Sequence, residues 1–581
     1  MKYHIMEYRK NQEQIINNII ENFNNGKKLV ILNAPTGSGK TIINLVAGKM
    51  IGGSYITSPL RVLVEQMKND LSGKFKKDEL GWSVMGRDAY LCPYKIEKEK
   101  ENKTYKKEES YTADGAPCQN ENYNFGKDNK GEDIKICPVK TKNECPYYQD
   151  KDKTMNSINS ITTFDYFVKG IYDKKNGIKE SYGWNTKPLL TIDEAHFLPT
   201  KLADFYSVNI SQTLPYFDYA FFVKTIKNRM KNLTDQKEII DMTIKEFLYE
   251  AEPCYIKNKD YLEKLKADQN SDLSAKIIYL DRKISIDKAI KMQQRIVNRL
   301  ENYIYNLSLK NVEWVFNMDN NGIYWKPYSP APFVENLWNT FNHIILSSAT
   351  FFDIPEYLKD LGLDKVDYEI INVESTFDPE KGAIISIPGI FLNMKNFDTN
   401  ISKVVNNIDK ILEDHKNEKG IIHCHTYKYQ YEILKRSKNK DRFIVHNSQN
   451  RQTILDDFLN SNDNKVLLSV NMGEGIDLID DKARFQILVK APYPYRGDPW
   501  INLHYERSKR WYKQQTIIEI MQTCGRIIRS KDDWGITYLI DSNILSLLNQ
   551  SDIPEWFMDR LKAGDKLRKK KLLDGIFDLN I

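Results

Sequence analysis

Short, unbroken apolar runs punctuate both ends of the chain, and amphipathic stretches separate them. Leu29-Val30-Ile31-Leu32 is the first run and reads as a buried strand. Before it, Ile15, Ile16, Ile19 and Ile20 keep helical spacing, and after it Ile42–Ala47 reads as the first turns of a helix. Tyr55–Gln66 repeats the theme as a strand, a turn at Pro59 and a helix. Leu189–Ile192 and His343–Leu346 are further strands. A second series follows at Gly420–His423, Phe443–Val445, Val466–Val470, Gln486–Val489 and Ile536–Ile540, with helical text between most of them. Continuous apolar runs alternating with helices are the mark of parallel sheets buried on both faces. The expected class is α/β, with two doubly wound parallel-sheet domains. Two segments break the rhythm. Residues 86–150 are loop-like and rich in Lys and Glu. Residues 201–325 are mostly helical by period, with Ile286, Ala289, Ile290, Val297, Leu300 and Ile304 on one face, and read as an inserted helical domain.

Composition narrows this picture only a little. A length of 581 residues calls for several domains, and 41% hydrophobic with 12% aromatic residues excludes global disorder. The net charge of +6 is too mild to imply a nucleic-acid partner by itself. Met1–Glu7 lacks the apolar core of a signal peptide. No run of about 18 apolar residues occurs, so no membrane partner and a soluble, cytoplasmic protein are expected. The seven cysteines are an odd number in an expected reducing compartment, which argues against a disulfide framework.

The candidate chemistry begins at Ala34-Pro35-Thr36-Gly37-Ser38-Gly39-Lys40-Thr41. A strand, a glycine-rich loop, Lys-Thr and a helix are the context of a phosphate-binding loop, although Ala34 replaces the usual first glycine. Gly37 and Gly39 allow backbone N–H groups around Ser38 to turn inward on an anion, and the helix N-terminus adds partial positive charge. Lys40 reaches the phosphates and Thr41 holds Mg²⁺. Gln12, about thirty residues earlier, has the donor and acceptor to read an adenine edge or to lie on a solvated helix face. The hydroxyls at Thr57 and Ser58 suit a nucleic-acid backbone or an ordinary sheet edge. Leu189–Ile192 runs into Asp193-Glu194-Ala195-His196, where Asp193 can hold Mg²⁺ and Glu194 can orient or deprotonate the attacking water. His343–Leu346 ends in Ser348-Ala349-Thr350, small hydroxyl residues placed to relay nucleotide state. In the second series, Asn471–Asp477 follows a strand, and Gln522, Arg526 and Arg529 fall on one face if their segment is helical. Arginines there can neutralise charge on a transferring phosphoryl group. Cys92, Cys118, Cys137 and Cys145 cluster in the polar segment, separated by 25, 18 and 7 residues. That spacing is compatible with an iron–sulfur cluster, a zinc ion or unligated thiols. The basic stretch Lys562–Lys571 reads as a solvated end.

Taken together, the motifs resemble the XPD/DinG-like iron–sulfur branch of the superfamily 2 helicases. Arg9–Gln12 resembles its R-x-x-Q element, Ala34–Thr41 its A-x-x-G-x-G-K-T loop, and Asp193–His196 its DEAH box. Ser348–Thr350, Glu474–Asp477 and Gln522–Arg529 resemble its SAT, E-G-x-D and Q-x-x-G-R-x-x-R motifs, all in the family's order. His423–Tyr427 matches motif IV only loosely. The resemblance implies two RecA-like motor domains, residues 1–85, 155–200 and 326–360 for the first and 361–581 for the second. It implies a 4Fe–4S domain over 86–154, ligated by the four cysteines, and a helical arch over 201–325, with no nuclease segment. It implies ATP and Mg²⁺ held by Gln12, Gly37–Thr41, Asp193 and Asp477, with Glu194, Gln522, Arg526 and Arg529 as the catalytic set. The activity implied is a monomeric ATP-dependent DNA helicase of DNA repair. It would move 5′→3′ on single-stranded DNA and open forked duplexes, with RNA in hybrids as a further partner. The alternative is a translocase that displaces proteins or clamps DNA or RNA without unwinding.

Overall fold

The computed structural model describes residues 11–573, except 36, 72–77, 102–110, 115, 117, 119–124, 126, 128–131, 135, 174–176, 181–182, 212–213, 269–275, 281, 320–321, 376, 394, 448, 462, 471–477, 479, 529–532 and 551. The chain divides into two compact units. One comprises Met1–Asn44, Leu346–Ile354 and Tyr368–Ile581, and the other Leu45–Ile345 and Pro355–Asp367.

The first unit is built on a six-stranded sheet in the order Ile384–Ser386, Ile536–Leu539, Phe485–Leu488, Gly420–His423, Val466–Ser469 and Phe443–Val445. Every neighbouring pair is parallel. Alternate residues of one strand feed opposite cores. Ile385 meets the helix Phe397–Asp414 through Ile401, Val404 and Ile408, whereas Ile384 joins Ile517, Ile520 and Met521 of the helix Lys509–Cys524. This is the doubly wound arrangement expected, and five of its six strands fall within a residue of the expected runs. The sixth, Ile384–Ser386, is three residues long and too short to carry a period of its own. The same unit contains Leu29–Asn33, which pairs in parallel with Tyr368–Asn372. The basic C-terminal stretch is no loose end. It lies in the helix Glu555–Leu573, with Leu567 packed on the sheet core and Lys571 bonded to Asp414 and to the Tyr538 hydroxyl.

In the second unit the strands run in the order Leu189–Asp193, Ser54–Ser58, Asn159–Thr163 and Trp82–Val84, all parallel. Asn159-Ser160-Ile161-Thr162-Thr163 is a buried strand with a polar sequence, which hydrophobic patterning misses. Its polar groups are bonded by the fold itself. The Asn159 amide donates to Leu45 O at 2.8 Å and Leu80 O at 2.6 Å, and the Thr162 hydroxyl donates to Val84 O at 2.8 Å.

The stretch 201–325 contains the expected helices, Tyr219–Met230, Gln236–Asp268 and Ile286–Ser308. It also contains strands that the helical period hides. Val208–Ile210, Gly322–Pro327 and Trp314–Asp319 form a three-stranded antiparallel sheet. The two long helices are pinned by a buried polar chain: Tyr279 OH to Gln293 Oε1 at 2.7 Å, Gln293 Nε2 to Asn258 O at 2.8 Å, and Asn258 Nδ2 to Pro215 O at 2.9 Å. Among the described residues no helix is long and apolar enough to cross a membrane.

Candidate nucleotide and nucleic-acid sites

The phosphate loop leaves the strand Leu29–Asn33, whose apolar residues are fully buried and fix its starting point. Ala34 N–H donates to Ser348 O at 2.8 Å, so the loop begins alongside the Ser348-Ala349-Thr350 turn. Gly37 and Gly39 have φ of +79° and +86°, the left-handed region that a side chain disfavours. Lys40 opens the helix Lys40–Ile51, and Ile42 N–H and Ile43 N–H both turn back to Gly39 O. The buried Ser38 hydroxyl finds no partner among the described residues. Gln12, buried at the start of the helix Gln12–Asn24, donates its amide to Ser38 O at 3.3 Å and Gly39 O at 3.4 Å. Its amide therefore braces the loop rather than lying on a solvated face.

In the same unit the Gln522 amide donates to the Thr350 hydroxyl at 3.4 Å, and Thr350 N–H donates to the Ser348 hydroxyl at 3.2 Å. The helix stops at Cys524, with Gly525 as its cap, so Arg526 is not on a shared helical face with Gln522. Glycine is a poor helix former, and the Cys524 carbonyl that a further turn would use instead accepts from Arg560 Nη2 at 3.2 Å. Arg526 is itself buried. Burial, together with the Arg526 charge, pushes the His423 imidazole down to about 3, so that ring is neutral at physiological pH. Arg9, Thr36, Asp477 and Arg529 lie outside the described residues. Phe377 was not signalled by any motif, yet its ring lies directly against Gly37. A cavity of about 550 Å³ beside it is bordered by Asn33, Pro35, Phe377, Trp556 and Arg560.

In the second unit the strand Leu189–Asp193 delivers a buried Asp193 and then Glu194 at φ +49°, an uncommon left-handed position for a residue with a Cβ. His196 Nδ1 stands 3.4 Å from Glu194 Oε2. Tyr357 OH donates to Ala195 O at 2.6 Å, which fixes the turn between them.

The four clustered cysteines show a recurrent local design. Cys92, Cys137 and Cys145 are each followed by proline, and each Cys-Pro starts a helix: Pro93–Glu101, Pro138–Thr141 and Pro146–Asn156. Proline suits the first helical turn because its missing N–H has no partner there. Burial pushes the Cys92 and Cys137 thiols up, and nearby Cys118 and Cys145 add to the effect at both. Arg87 Nη1 donates to Cys118 Sγ at 3.6 Å, and its guanidinium lies 4.3 Å from the Tyr147 ring centre. Among the described residues no group of three or more His, Cys, Asp or Glu side chains is gathered tightly enough to hold a metal ion. A cavity of about 590 Å³ adjoins this segment, with Arg61, Arg87, Lys151, Lys169, Tyr147 and Trp184 on its walls. Basic and aromatic side chains together suit a phosphate backbone and its bases. Asp114 also accepts from Arg295 Nη2 at 3.3 Å, and Ala116 O from Lys291 Nζ at 3.3 Å, both on the helix Ile286–Ser308.

Comparison with known proteins places these motifs in context. Residues 409–560 match the helicase C-terminal domain family, and residues 5–243 match the type III restriction enzyme, res subunit, family. A solved structure titled XPD helicase is 16% identical, with a TM-score of 0.56 over 94% of this chain and 99% of its own. The structure of S. tokodaii Xpd4 is 14% identical, with a TM-score of 0.54 over 94% and 98% of the two chains. The chain has the fold of the solved XPD structures. Its two RecA-like parallel-sheet domains are those of that fold. Among curated relatives, this XPD-like chain is 23% identical to the ATP-dependent DNA helicase CHL1 of Kluyveromyces lactis, over 72% of this chain and 59% of the relative. It is 28% identical to the regulator of telomere elongation helicase 1 of Bos taurus, over 17% of this chain and 10% of the relative. The aligned part thus spans less than two thirds of these relatives' lengths.

Proposed function

We propose that the chain is an ATP-dependent DNA helicase that couples hydrolysis to 5′→3′ translocation on single-stranded DNA and separates forked duplexes. The observation that carries the reading is the phosphate loop, with Gly37 and Gly39 left-handed, the helix opening on Lys40 and the Gln12 amide bracing the turn. Lys40 would meet the β and γ phosphates of ATP, and Thr41 and Asp193 would hold Mg²⁺. Glu194 would orient or deprotonate the attacking water. Gln12 would read an adenine edge. Arg526 and Arg529 would neutralise charge on the transferring phosphoryl group, and Asp477 would complete the nucleotide contacts. The Gln522–Thr350 bond supports a link between the arginine element and the Ser-Ala-Thr turn.

The cysteine segment, 86–154, is assigned a 4Fe–4S cluster on Cys92, Cys118, Cys137 and Cys145. Four cysteines in one segment, with Cys118 and Cys145 near enough to act on both Cys92 and Cys137, are the donor set such a cluster takes. It takes one thiolate per iron, so its ligands stand further apart than those of a single ion. When bound it would staple a segment with little core of its own. The arch, 201–325, meets this segment through Arg295–Asp114 and Lys291–Ala116, which supports a gate beside the basic and aromatic cavity. Single-stranded and forked DNA are the substrates, with RNA in hybrids also accommodated and the monomer as the working form.

Strand separation of a forked duplex tests the reading. ATP-dependent separation that is lost in Lys40→Ala supports it. ATP hydrolysis stimulated by single strands without any separation would favour the alternative, a translocase that displaces proteins or clamps nucleic acid.

A further inference from the structure

Residues 372–382 run from the end of the Tyr368–Asn372 strand to the start of Ile384–Ser386, and the two ends are tied to different functional elements. At the first end, Val373 N–H donates to Asn33 O at 2.9 Å, and the Asn33 amide donates to Asn372 Oδ1 at 3.0 Å. Asn33 is the last residue of the strand that delivers the phosphate loop. At the other end, Gly382 O accepts from Arg560 Nε at 2.6 Å. The same guanidinium reaches Cys524 O at 3.2 Å, where the helix carrying Gln522 gives way to Arg526. Local turns fix the path between. Phe377 N–H donates to the Ser375 hydroxyl at 3.3 Å, Glu380 N–H to Asp378 Oδ1 at 2.9 Å, and Gly382 N–H to Pro379 O at 3.2 Å.

Phe377 sits in the middle of this path and touches both elements. A Cβ placed on Gly37 would fall 2.1 Å from Phe377 Cζ, so the tip of the ring fills the space beside the loop. The same side chain packs against a core cluster whose members include Ile527 and Ile528, the two residues after Arg526. A stiff aromatic side chain therefore packs both on the phosphate loop and on the cluster that holds the two residues after the arginine. Close-packed groups of this kind pass a displacement on rather than absorbing it.

We infer that the described residues of 372–382, which leave out 376, form a positioning strap in which Phe377 couples the phosphate loop to the Gln522–Arg526 element, so that Arg526 reaches its working position only when the ring is in place. This rests on the ATP-hydrolysing reading above. Phe377 acts through its neighbours and is a positioning residue, not a catalytic one.

The test compares Phe377→Leu with Phe377→Met. Leucine keeps apolar packing on the cluster that contains Ile527 and Ile528 but is too short to reach Gly37, whereas methionine restores the reach. In steady-state ATP hydrolysis with saturating single-stranded DNA, Phe377→Leu is expected to lower kcat about tenfold with KM for ATP little changed, the pattern of a misplaced transition-state group. Phe377→Met is expected to recover most of the loss, and both variants to melt near the wild type. Wild-type kcat in Phe377→Leu would overturn the strap. So would a loss that methionine does not rescue, or one that follows the melting temperature. Wild type and Lys40→Ala are assayed alongside. Absence of Lys40-dependent hydrolysis in the wild type would overturn the reading beneath, and the strap with it, an outcome distinct from an active wild type matched by active variants.

Discussion

Lys40 is the residue on which the ATP-binding account depends. Its replacement by Ala removes the charge aimed at the phosphates and leaves the apolar packing of the helix Lys40–Ile51 alone. Phosphate release is expected to vanish while the melting temperature stays near that of the wild type, and residual turnover at the wild-type rate would contradict the assignment. Tyr357 is a second such position, reached only through the structure. Its hydroxyl bonds Ala195 O, between Glu194 and His196, so Tyr357→Phe frees the turn that aims Glu194. A lost neutral hydrogen bond is worth about 1 kcal/mol, or about fivefold in turnover, measurable as kcat. Asp360, the last residue of the helix Ile354–Asp360 that also carries Tyr357, is pushed up to about 7 by burial, with Glu356 adding to the shift against Lys359. The folded state then holds this proton more tightly than the unfolded chain, whose carboxyl titrates near 3.8. Stability contributed here is present at low pH and falls as pH rises towards about 7. Asp360→Asn is expected to flatten that part of the melting-temperature profile. The loop residues Gly37, Gly39 and Lys40 were legible because their roles follow from local backbone geometry. Tyr357 and Phe377 were not, because each acts across a contact between residues 162 and 340 positions apart, far beyond any local pattern.

At the scale of elements, apolar runs located the strands well wherever the strand is buried on both faces and apolar. The strand Asn159–Thr163 escaped because its buried groups are amides and hydroxyls, bonded to Leu45, Leu80, Val84 and Thr154 by chain positions that no local reading connects. Gln522, Arg526 and Arg529 would share a face only on one continuous helix, and Gly525 ends the helix that carries Gln522 before Arg526. The sheet strands Val208–Ile210, Trp314–Asp319 and Gly322–Pro327 were hidden in a mainly helical stretch because they are short and flank long helices. The polar chain that pins those helices makes its own prediction. Asn258 is fully buried and bonds Pro215 O and Cys254 O while accepting from Gln293. Asn258→Ala removes these side-chain bonds from a buried network together and is expected to cost about 1–3 kcal/mol. Limited proteolysis should then cut the 201–325 segment first, whereas an unchanged melting curve and cutting pattern would show that the chain does not pin the helices.

At the scale of the whole molecule, the order of motifs along the chain pointed to the XPD-like fold, and the likeness to solved XPD structures over 94% of the chain agrees with it. The cluster assigned to the four cysteines has a direct check. Protein purified without oxygen is expected to be brown and to carry about four irons per chain, as a Cys₄-ligated 4Fe–4S cluster requires. Cys92→Ser should lose them, and a colourless wild type holding zinc or no metal would remove the cluster. The central claim is that ATP hydrolysis drives strand separation, and the most direct measurement of it is unwinding of a fluorescently labelled fork with a single-stranded 5′ tail. Separation is expected to require ATP, to be lost in Lys40→Ala, and not to occur on the same duplex carrying only a 3′ tail. Vigorous DNA-stimulated ATP hydrolysis with both forks left intact would contradict it.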